Sequence, residues 1–322
     1  MKNYYKMKQA IMITAAAMAI GCSADIQPED VKIAAYKDGK ECALSFTFDD
    51  GMKEHYTIVA PELEKRGFKG TFWLCGAWIP DDPQADTTHV TWDEVREMSQ
   101  KGHEMSNHTW SHPYMTSLSK EDALVEIARN DEAITACTGI RPVTFCFPYN
   151  AFNEETIAMA MEGRIGARLK EFWFGGQHSP DEYLHKQVED ALAAGSWIAG
   201  MTHGINYGYD CYETDPSGFT RFLDYVKERE DRIWVGTFRE VAAYTKAASA
   251  AEIRTSTEGN KLVISIDAPE NPLLEGVMLT MEAATDGKRI KAEQDGQELE
   301  VTYKGDKAVF NFNPYAGDII IR

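Results

Sequence analysis

Short apolar runs and stretches of helical period alternate along most of this 322-residue chain. The runs ALSFTF (43–48), GTFWLC (70–75), HEMSNH (103–108), VTFCFP (143–148), IGARL (165–169), WIAGMT (197–202) and IWVG (233–236) have the length and content of strands. Each precedes a segment whose apolar residues recur at helical spacing, at 53–66, 92–101, 120–138, 154–162, 181–194, 217–230 and 238–248. Thr91-x-x-Glu94 is a capping box and Ser119 an N-cap, while Gly67, Gly102 and Gly139 close their helices. Strands alternating with helices argue for parallel strands with helices outside. The repeat predicts an α/β fold, a distorted seven-unit (β/α) barrel one unit short of the eightfold form, with an open doubly wound sheet as the alternative. Residues 31–36 and 42–48 flank Asp38-Gly39 and predict a hairpin ahead of the first unit. After Ala251 only strand-like runs remain, separated by Gly, Asp, Asn and Pro turns, which predicts a small C-terminal all-β sandwich-like domain. The predicted division is a barrel over 30–248 and a β domain over 251–322.

The first residues belong to neither. Lys2, Lys6 and Lys8 precede a run of apolar and small residues at 10–21, too short to cross a bilayer and typical of an export signal. That run ends in Ala19-Ile20-Gly21-Cys22, which resembles a bacterial lipobox and marks 1–22 as the leader and Cys22 as the lipidation site. Ordinary cleavage after Cys22-Ser23-Ala24 is the alternative. The expected location is the bacterial cell envelope, lipid-anchored to a membrane or periplasmic, with no membrane contact beyond the anchor.

Charge narrows the partners. The formal net charge is −18, and loss of a leader that carries three lysines and no acid makes the remainder more acidic still. Such a surface repels nucleic acid and anionic lipid, and disfavours sulfated or uronic-acid-rich glycans. Six cysteines show no CxxC spacing and no disulfide-scaffold density. Cys75 and Cys146 lie in apolar stretches and are read as buried, inert thiols.

In barrels of this kind catalytic groups gather at the C-terminal ends of the strands. Asp49 and Asp50 end the first strand, and His108 ends the third with His112 four residues on. Tyr149 and Asn150 follow the fourth, Arg168 ends the fifth and His203 follows the sixth. Two imidazoles and a carboxylate form a common ligand set for a catalytic Zn2+, which acidifies water and polarises a carbonyl. A second carboxylate and a further histidine then serve as base and acid. His103 reads as structural, and His55, His89, His178 and His185 receive no role.

These residues resemble a known family. TFDDG at 47–51, His108-Thr-Trp-Ser-His112-Pro113 and the later Thr202-His203 are similar to the polysaccharide deacetylases with a NodB-like domain, carbohydrate esterase family 4. The resemblance covers roughly 40–247 and implies a distorted seven-unit barrel. It implies that Asp49 is the catalytic base, that Asp50, His108 and His112 hold the metal, and that His203 is the general acid. It also implies that the backbone N–H of Tyr149 helps to hold an oxyanion.

The sequence departs from that pattern in three places. The arginine expected before the Pro-Tyr is replaced by Cys146 and Phe147, Asn150 stands for a glycine, and no Asp-x-x-Asp-Trp occurs near Glu171-Phe172-Trp173. Without those partners Asp49 is expected to keep a higher pKa and His203 to be less readily protonated. Two residues are assigned to the substrate side. Trp110 is the candidate wall for a sugar ring, with Trp78, Tyr207 and Tyr209 nearby, and Arg168 is the candidate guanidinium near Asp49. The expected activity is metal-dependent hydrolytic deacetylation of an acetylated oligo- or polysaccharide, N- or O-linked, with a divalent metal, foremost Zn2+. The alternative is a non-catalytic surface glycan-binding lipoprotein built on the same barrel, and the oligomeric state is left open.

Overall fold

The computed structural model describes residues 27, 30–82, 84–176, 179–207, 210 and 215–322. The segment predicted as a leader, with Cys22, lies outside the described residues, as do His178, Tyr209 and Cys211. The described strands in chain order begin with β1 (Val31–Ile33), β2 (Cys42–Asp49), β3 (Thr71–Leu74), β4 (Glu104–Asn107) and β5 (Thr144–Cys146). They continue with β6 (Gly166–Arg168), β7 (Phe172–Trp173), β8 (Trp197–Thr202) and β9 (Ile233–Val235). The helices are α1 (Ala60–Lys65), α2 (Trp92–Gln100), α3 (Lys120–Thr138), α4 (Glu154–Ala160), α5 (Asp181–Ala194), α6 (Ser217–Lys227) and α7 (Phe238–Ala250).

The strands β2 to β9 form one curled parallel sheet in the order β6-β5-β4-β3-β2-β8-β7, with β9 also paired to β2. This is the α/β barrel architecture read from the sequence. The strand β7 was not anticipated, because two residues carry no period. Central β2 pairs with β3 at its C-terminal half and with β9 at its N-terminal half. Period-2 alternation then divides its side chains. Leu44, Phe46 and Phe48 pack outward into the main core with Leu63, Val95, Leu184, Phe219 and Phe222 from the surrounding helices. Thr47 and Asp49 face the barrel interior, where the buried Arg168 and Trp73 lie. Register lines up the strand ends: Asp49 with Trp73, Leu74 with Asn107, Cys146 with Arg168, and Phe48 with Thr202. The loops that follow those ends therefore open on one rim.

The helix caps match their sequence signals. Thr91 and Glu94 close a full capping box, Ser119 accepts from Asp122 N–H, and Gly139 takes the left-handed conformation after α3.

The predicted hairpin between residues 31–36 and 42–48 does not form. Instead β1 pairs antiparallel with β12 (Leu279–Ala284), Val31 opposite Ala283. The Asp38-Gly39 turn is held by the same neighbours, since Thr280 Oγ1 accepts from Asp38 N–H and Asn311 Nδ2 donates to Asp38 Oδ1. The edges of β2 are already paired with β3, β8 and β9, so the earlier strand finds its backbone partner elsewhere.

The remaining strands are β10 (Glu252–Glu258), β11 (Lys261–Asp267), β13 (Ala292–Gln294), β14 (Gln297–Glu298), β15 (Thr302–Lys304), β16 (Lys307–Phe312) and β17 (Ile319–Ile321). With β1 and β12 they form two antiparallel sheets, β1-β12-β16-β15 and β10-β11-β17-β13-β14. Leu262, Ile264, Met281, Ala283, Phe310 and Ile319 from the two sheets share one buried cluster. That cluster continues into Phe238, Ala242 and Tyr244 of α7, so the β region packs against the flank of the barrel, away from the rim.

Candidate active site

Five of the eight described non-glycine residues with positive φ lie in the rim loops: Asp50, Thr109, His112, Tyr149 and Asn150. Each such residue costs on the order of 1–3 kcal/mol, and strain of this kind concentrates where geometry serves function. Asp50, at φ 77, turns sharply out of β2 and is followed by Gly51 at φ 72. That turn lets two adjacent carboxylates diverge, Asp49 into the barrel and Asp50 toward the histidines.

The histidine loop is held by buried amides. Asn130 of α3 donates to Leu74 C=O and to Asn107 Oδ1, while its own oxygen accepts from Gly76 N–H. Asn107 Oδ1 also accepts from Thr109 N–H at 2.7 Å, and Thr109 Oγ1 from His112 N–H at 3.0 Å. His108 and His112 thus point at one spot. Their Nε2 atoms stand 3.5 and 3.4 Å from the same Asp50 Oδ1. His108 Nδ1 lies 2.9 Å from Cys146 C=O, to which it donates, leaving the Nε2 lone pair turned inward.

Electrostatics favour a cation there. Burial pulls His108 down to about 3 and His112 to about 4, so both rings are neutral near neutral pH and free to bind a metal. Burial, reinforced by the charge of Asp49 and only partly offset by His203, pushes Asp50 up to about 6. Asp50 Oδ1 is buried without a hydrogen-bond partner. An orphaned carboxylate oxygen facing two neutral imidazole nitrogens fits a divalent metal ion, and Asp50, His108 and His112 are the residues that would hold it.

Asp49 sits just inside. Burial alone would raise its pKa, but the Arg168 guanidinium holds it well below the usual carboxylate range. Arg168 donates to Asp49 Oδ1 at 2.7 Å and Oδ2 at 2.5 Å, and to Thr47 Oγ1 at 2.7 Å. Arg168, the candidate guanidinium of the sequence, thus stands against Asp49, and the higher pKa expected of a carboxylate without a cation does not arise. Arg168 is only 2% exposed, and its bonds to Asp49 and Thr47 direct it at that carboxylate rather than toward the opening of the site. On its far side Glu171 lies 3.9 Å from Arg168 Nε and accepts from Asn150 Nδ2, tying the Tyr149 turn to the same network.

The expectation for His203 is overturned as well. Asp210, which the sequence reading passed over, accepts from His203 N–H at 2.8 Å and contacts Nδ1 at 3.1 Å. Burial would lower His203, but the Asp210 hydrogen bond together with the Asp49, Asp210 and Asp50 charges pushes it up to about 9. Its Nε2 stands 3.7 Å from Asp50 Oδ2, on the metal-binding side. Asp210 lies seven residues after the histidine in an irregular loop. Only its type and proximity in sequence offered a signal.

Two further residues missed from sequence secure that loop. A π-helical turn, His55–Val59, opens the first helix, a form that often marks functional sites. His55 is fully buried there, with Nε2 2.6 Å from His203 C=O. The buried Glu54 carboxylate accepts from Ile205 N–H and Asn206 N–H at 2.8 Å each and from Asn206 Nδ2 at 2.5 Å.

Aromatic residues surround the opening. The His112 ring packs against Trp78 at 5.0 Å and against Tyr149 at 4.5 Å. Tyr149 also stacks on Tyr114 at 4.0 Å, and more than half of each tyrosine is exposed. The assigned wall residue Trp110 is engaged elsewhere. The Arg129 guanidinium lies 3.9 Å over its ring, and a Cβ built on Gly76 would fall 2.5 Å from its edge. Tyr207 donates its hydroxyl to Thr88 C=O.

Residues 36–164 match the family model described as polysaccharide deacetylase. The peptidoglycan-N-acetylglucosamine deacetylase PgdA of Listeria monocytogenes is 26% identical over 205 residues, 63% of this chain and 40% of that protein. The peptidoglycan-N-acetylmuramic acid deacetylase PdaC of Bacillus subtilis is 30% identical over 119 residues, 37% of this chain and 24% of that protein. The solved structure of PdaC aligns with 67% of this chain and 96% of that one, at 21% identity and a TM-score of 0.46. A CE4 family pseudoenzyme from Bacillus anthracis aligns with 64% of this chain and 66% of that one, at 16% identity and a TM-score of 0.47. The chain thus spans less than half the length of these two curated relatives.

Proposed function

Because residues 36–164 match the polysaccharide deacetylase family model, we propose that this chain is a metal-dependent hydrolase removing acetyl groups from an acetylated oligo- or polysaccharide. The observation that carries the reading is the convergence of Asp50, His108 and His112 between a carboxylate held ionised by Arg168 and a histidine pushed up to about 9. Zn2+ is the metal proposed. When bound, such an ion supplies Lewis-acid polarisation of the acetyl carbonyl and an acidified water.

The chain's own residues divide the remaining work. Asp49 accepts the proton of the attacking water. Held low by Arg168, it is a weak base and takes a proton readily only from a strongly acidified donor, which is why base and ligands must be neighbours. His203, protonated at Nε2 and steadied through Nδ1 by Asp210, gives a proton to the departing amine or hydroxyl. The backbone N–H of Tyr149 is proposed to bind the oxygen that gains charge. The exposed Tyr149, with Tyr114 stacked on it, offers apolar faces to a sugar ring, a role the buried flank of Trp110 supports less well. Export and lipidation at Cys22 complete the proposal. In the described residues no helix is long and apolar enough to cross a membrane.

Acetate release from chitooligosaccharides, peptidoglycan fragments and acetylxylan, with and without chelator, tests the reading. Chelator-sensitive acetate from at least one substrate is expected. Glycan binding with no metal-dependent acetate would instead establish the non-catalytic alternative, whose main support, an unpartnered base and acid, is weakened by Arg168 and Asp210.

A further inference from the structure

A fourth donor atom stands in the ligand cluster. Cys75 follows β3 directly, and its thiol is fully buried. Its Sγ, one carboxylate oxygen of Asp50 and one ring nitrogen each of His108 and His112 all lie within 4.8 Å of one another. Donors around one tetrahedral ion at about 2.0–2.3 Å stand about 3.3–3.8 Å apart, so the widest of these pairs need close by no more than about 1.5 Å to share one. The thiol's hydrogen bond to His108 C=O, at 3.3 Å, is of the weak kind sulfur makes. Asp50 Oδ1, within the same cluster, is buried and unpaired.

We propose that Cys75 is a fourth ligand of the metal held by Asp50, His108 and His112, converting an O,N,N set into O,N,N,S. The proposal rests on the reading of this site as a metal centre. On binding, the thiol releases its proton to solvent and coordinates as thiolate. The other nearby thiol is not equivalent. Cys146 Sγ lies 3.9 Å from Asp49 Oδ2, but both oxygens of Asp49 are taken by Arg168. A sulfur donor makes the set softer, selecting Zn2+ or Co2+ over Mg2+, Ca2+ or Mn2+, which prefer oxygen.

The test is cobalt spectroscopy on the full chain after removal of metal with chelator. Co2+ added to the wild type is expected to give visible d–d bands and a near-ultraviolet thiolate-to-cobalt charge-transfer band. Cys75→Ser is expected to keep the d–d bands and lose the charge-transfer band, whereas Cys146→Ser keeps both. Zn2+ affinity should fall about tenfold or more in Cys75→Ser, at least the scale seen when a ligand's support is altered. Wild-type d–d bands without charge transfer, or a charge-transfer band that survives in Cys75→Ser, would overturn the proposal while leaving the metal centre intact. Failure to take up cobalt at all would overturn the metal reading and the proposal with it. If the serine variant does not fold, the wild-type spectrum and Cys75→Ala decide.

Discussion

Replacing Arg168 by alanine removes three hydrogen bonds at once, two from Asp49 and one from Thr47, and leaves a buried carboxylate without its counter-charge. Deleting one partner of a buried ion pair costs about 3–5 kcal/mol, and the loss of a bidentate contact at a site only 2% exposed points to the upper half of that range. In the wild type the folded pKa of Asp49 lies below its unfolded value. The pair's stabilisation is therefore present above about pH 4 and is lost as pH falls toward the folded value. In the variant burial, the largest influence, is opposed only by the charges of His108 and His203, so the folded pKa rises and the pair's stabilisation at neutral pH is lost. The stability gap between wild type and variant should thus be widest near pH 7 and narrow toward pH 4, as followed by urea denaturation. Loss of an ionised, oriented base should cut kcat/KM for acetate release by about 10²–10⁴ at neutral pH. Activity should recover partly as pH rises, because the acidic limb of the profile moves up. An unchanged acidic limb together with an unchanged urea midpoint would refute the argument. Arg168→Lys, which keeps the charge but not the two-pronged fork, should fall between.

Other consequences follow from the same geometry. Asp49→Asn should lower turnover by at least about 10²-fold while bound metal, measured by elemental analysis, stays at the wild-type level; His112→Ala should lose metal and activity together. In Asp210→Asn, burial should pull His203 down from about 9, so the alkaline limb of kcat/KM shifts to lower pH with little change in metal content; a limb that stays in place would remove Asp210 from the acid's support. His55 is fully buried and held down to about 4 by burial, below its unfolded value near 6.5. Since the unfolded chain binds that proton first, stability should fall as pH drops from 6.5 toward 4, by on the order of 2 kcal/mol at pH 5 from this residue alone. Chemical denaturation at pH 7 and pH 5, with His55→Gln as the comparison, measures it.

Much of the architecture is legible in the linear pattern because the signals are local. The run at 43–48 is too apolar for a surface strand, and it becomes fully buried β2 at the centre of the sheet. The Thr91 capping box and Gly139 bound their helices through contacts three or four residues long. Asp50, His108 and His112 were identifiable because strand ends of a parallel barrel share one rim. The fate of residues 31–33 was not legible: a turn between two strands does not say whether they pair with each other. That depended on which edges of β2 were already filled and on the side chains of Thr280 and Asn311, more than 240 positions away.

The two partners of the reactive groups show the same divide. Arg168 is 119 residues from Asp49, and only the order β6-β5-β4-β3-β2 and the inward face of each strand bring them together. Asp210 is near His203 in sequence, yet its bond depends on an irregular loop held by Glu54 and His55 from another element. Cys75 reads as an ordinary core thiol along the chain, and only the turn after β3 brings its sulfur near the candidate ligand atoms of Asp50, His108 and His112. Periodicity, caps and residue chemistry are properties of neighbours along the chain, so the sequence by itself determined the strand and helix order, the rim and the candidate ligands. Charge pairing across a buried interior depends on distance through space and on exclusion of water, and these exist only once the chain has closed. The tertiary structure therefore decided that Arg168, a candidate in the sequence, pairs with Asp49, and it alone decided that Asp210 pairs with His203.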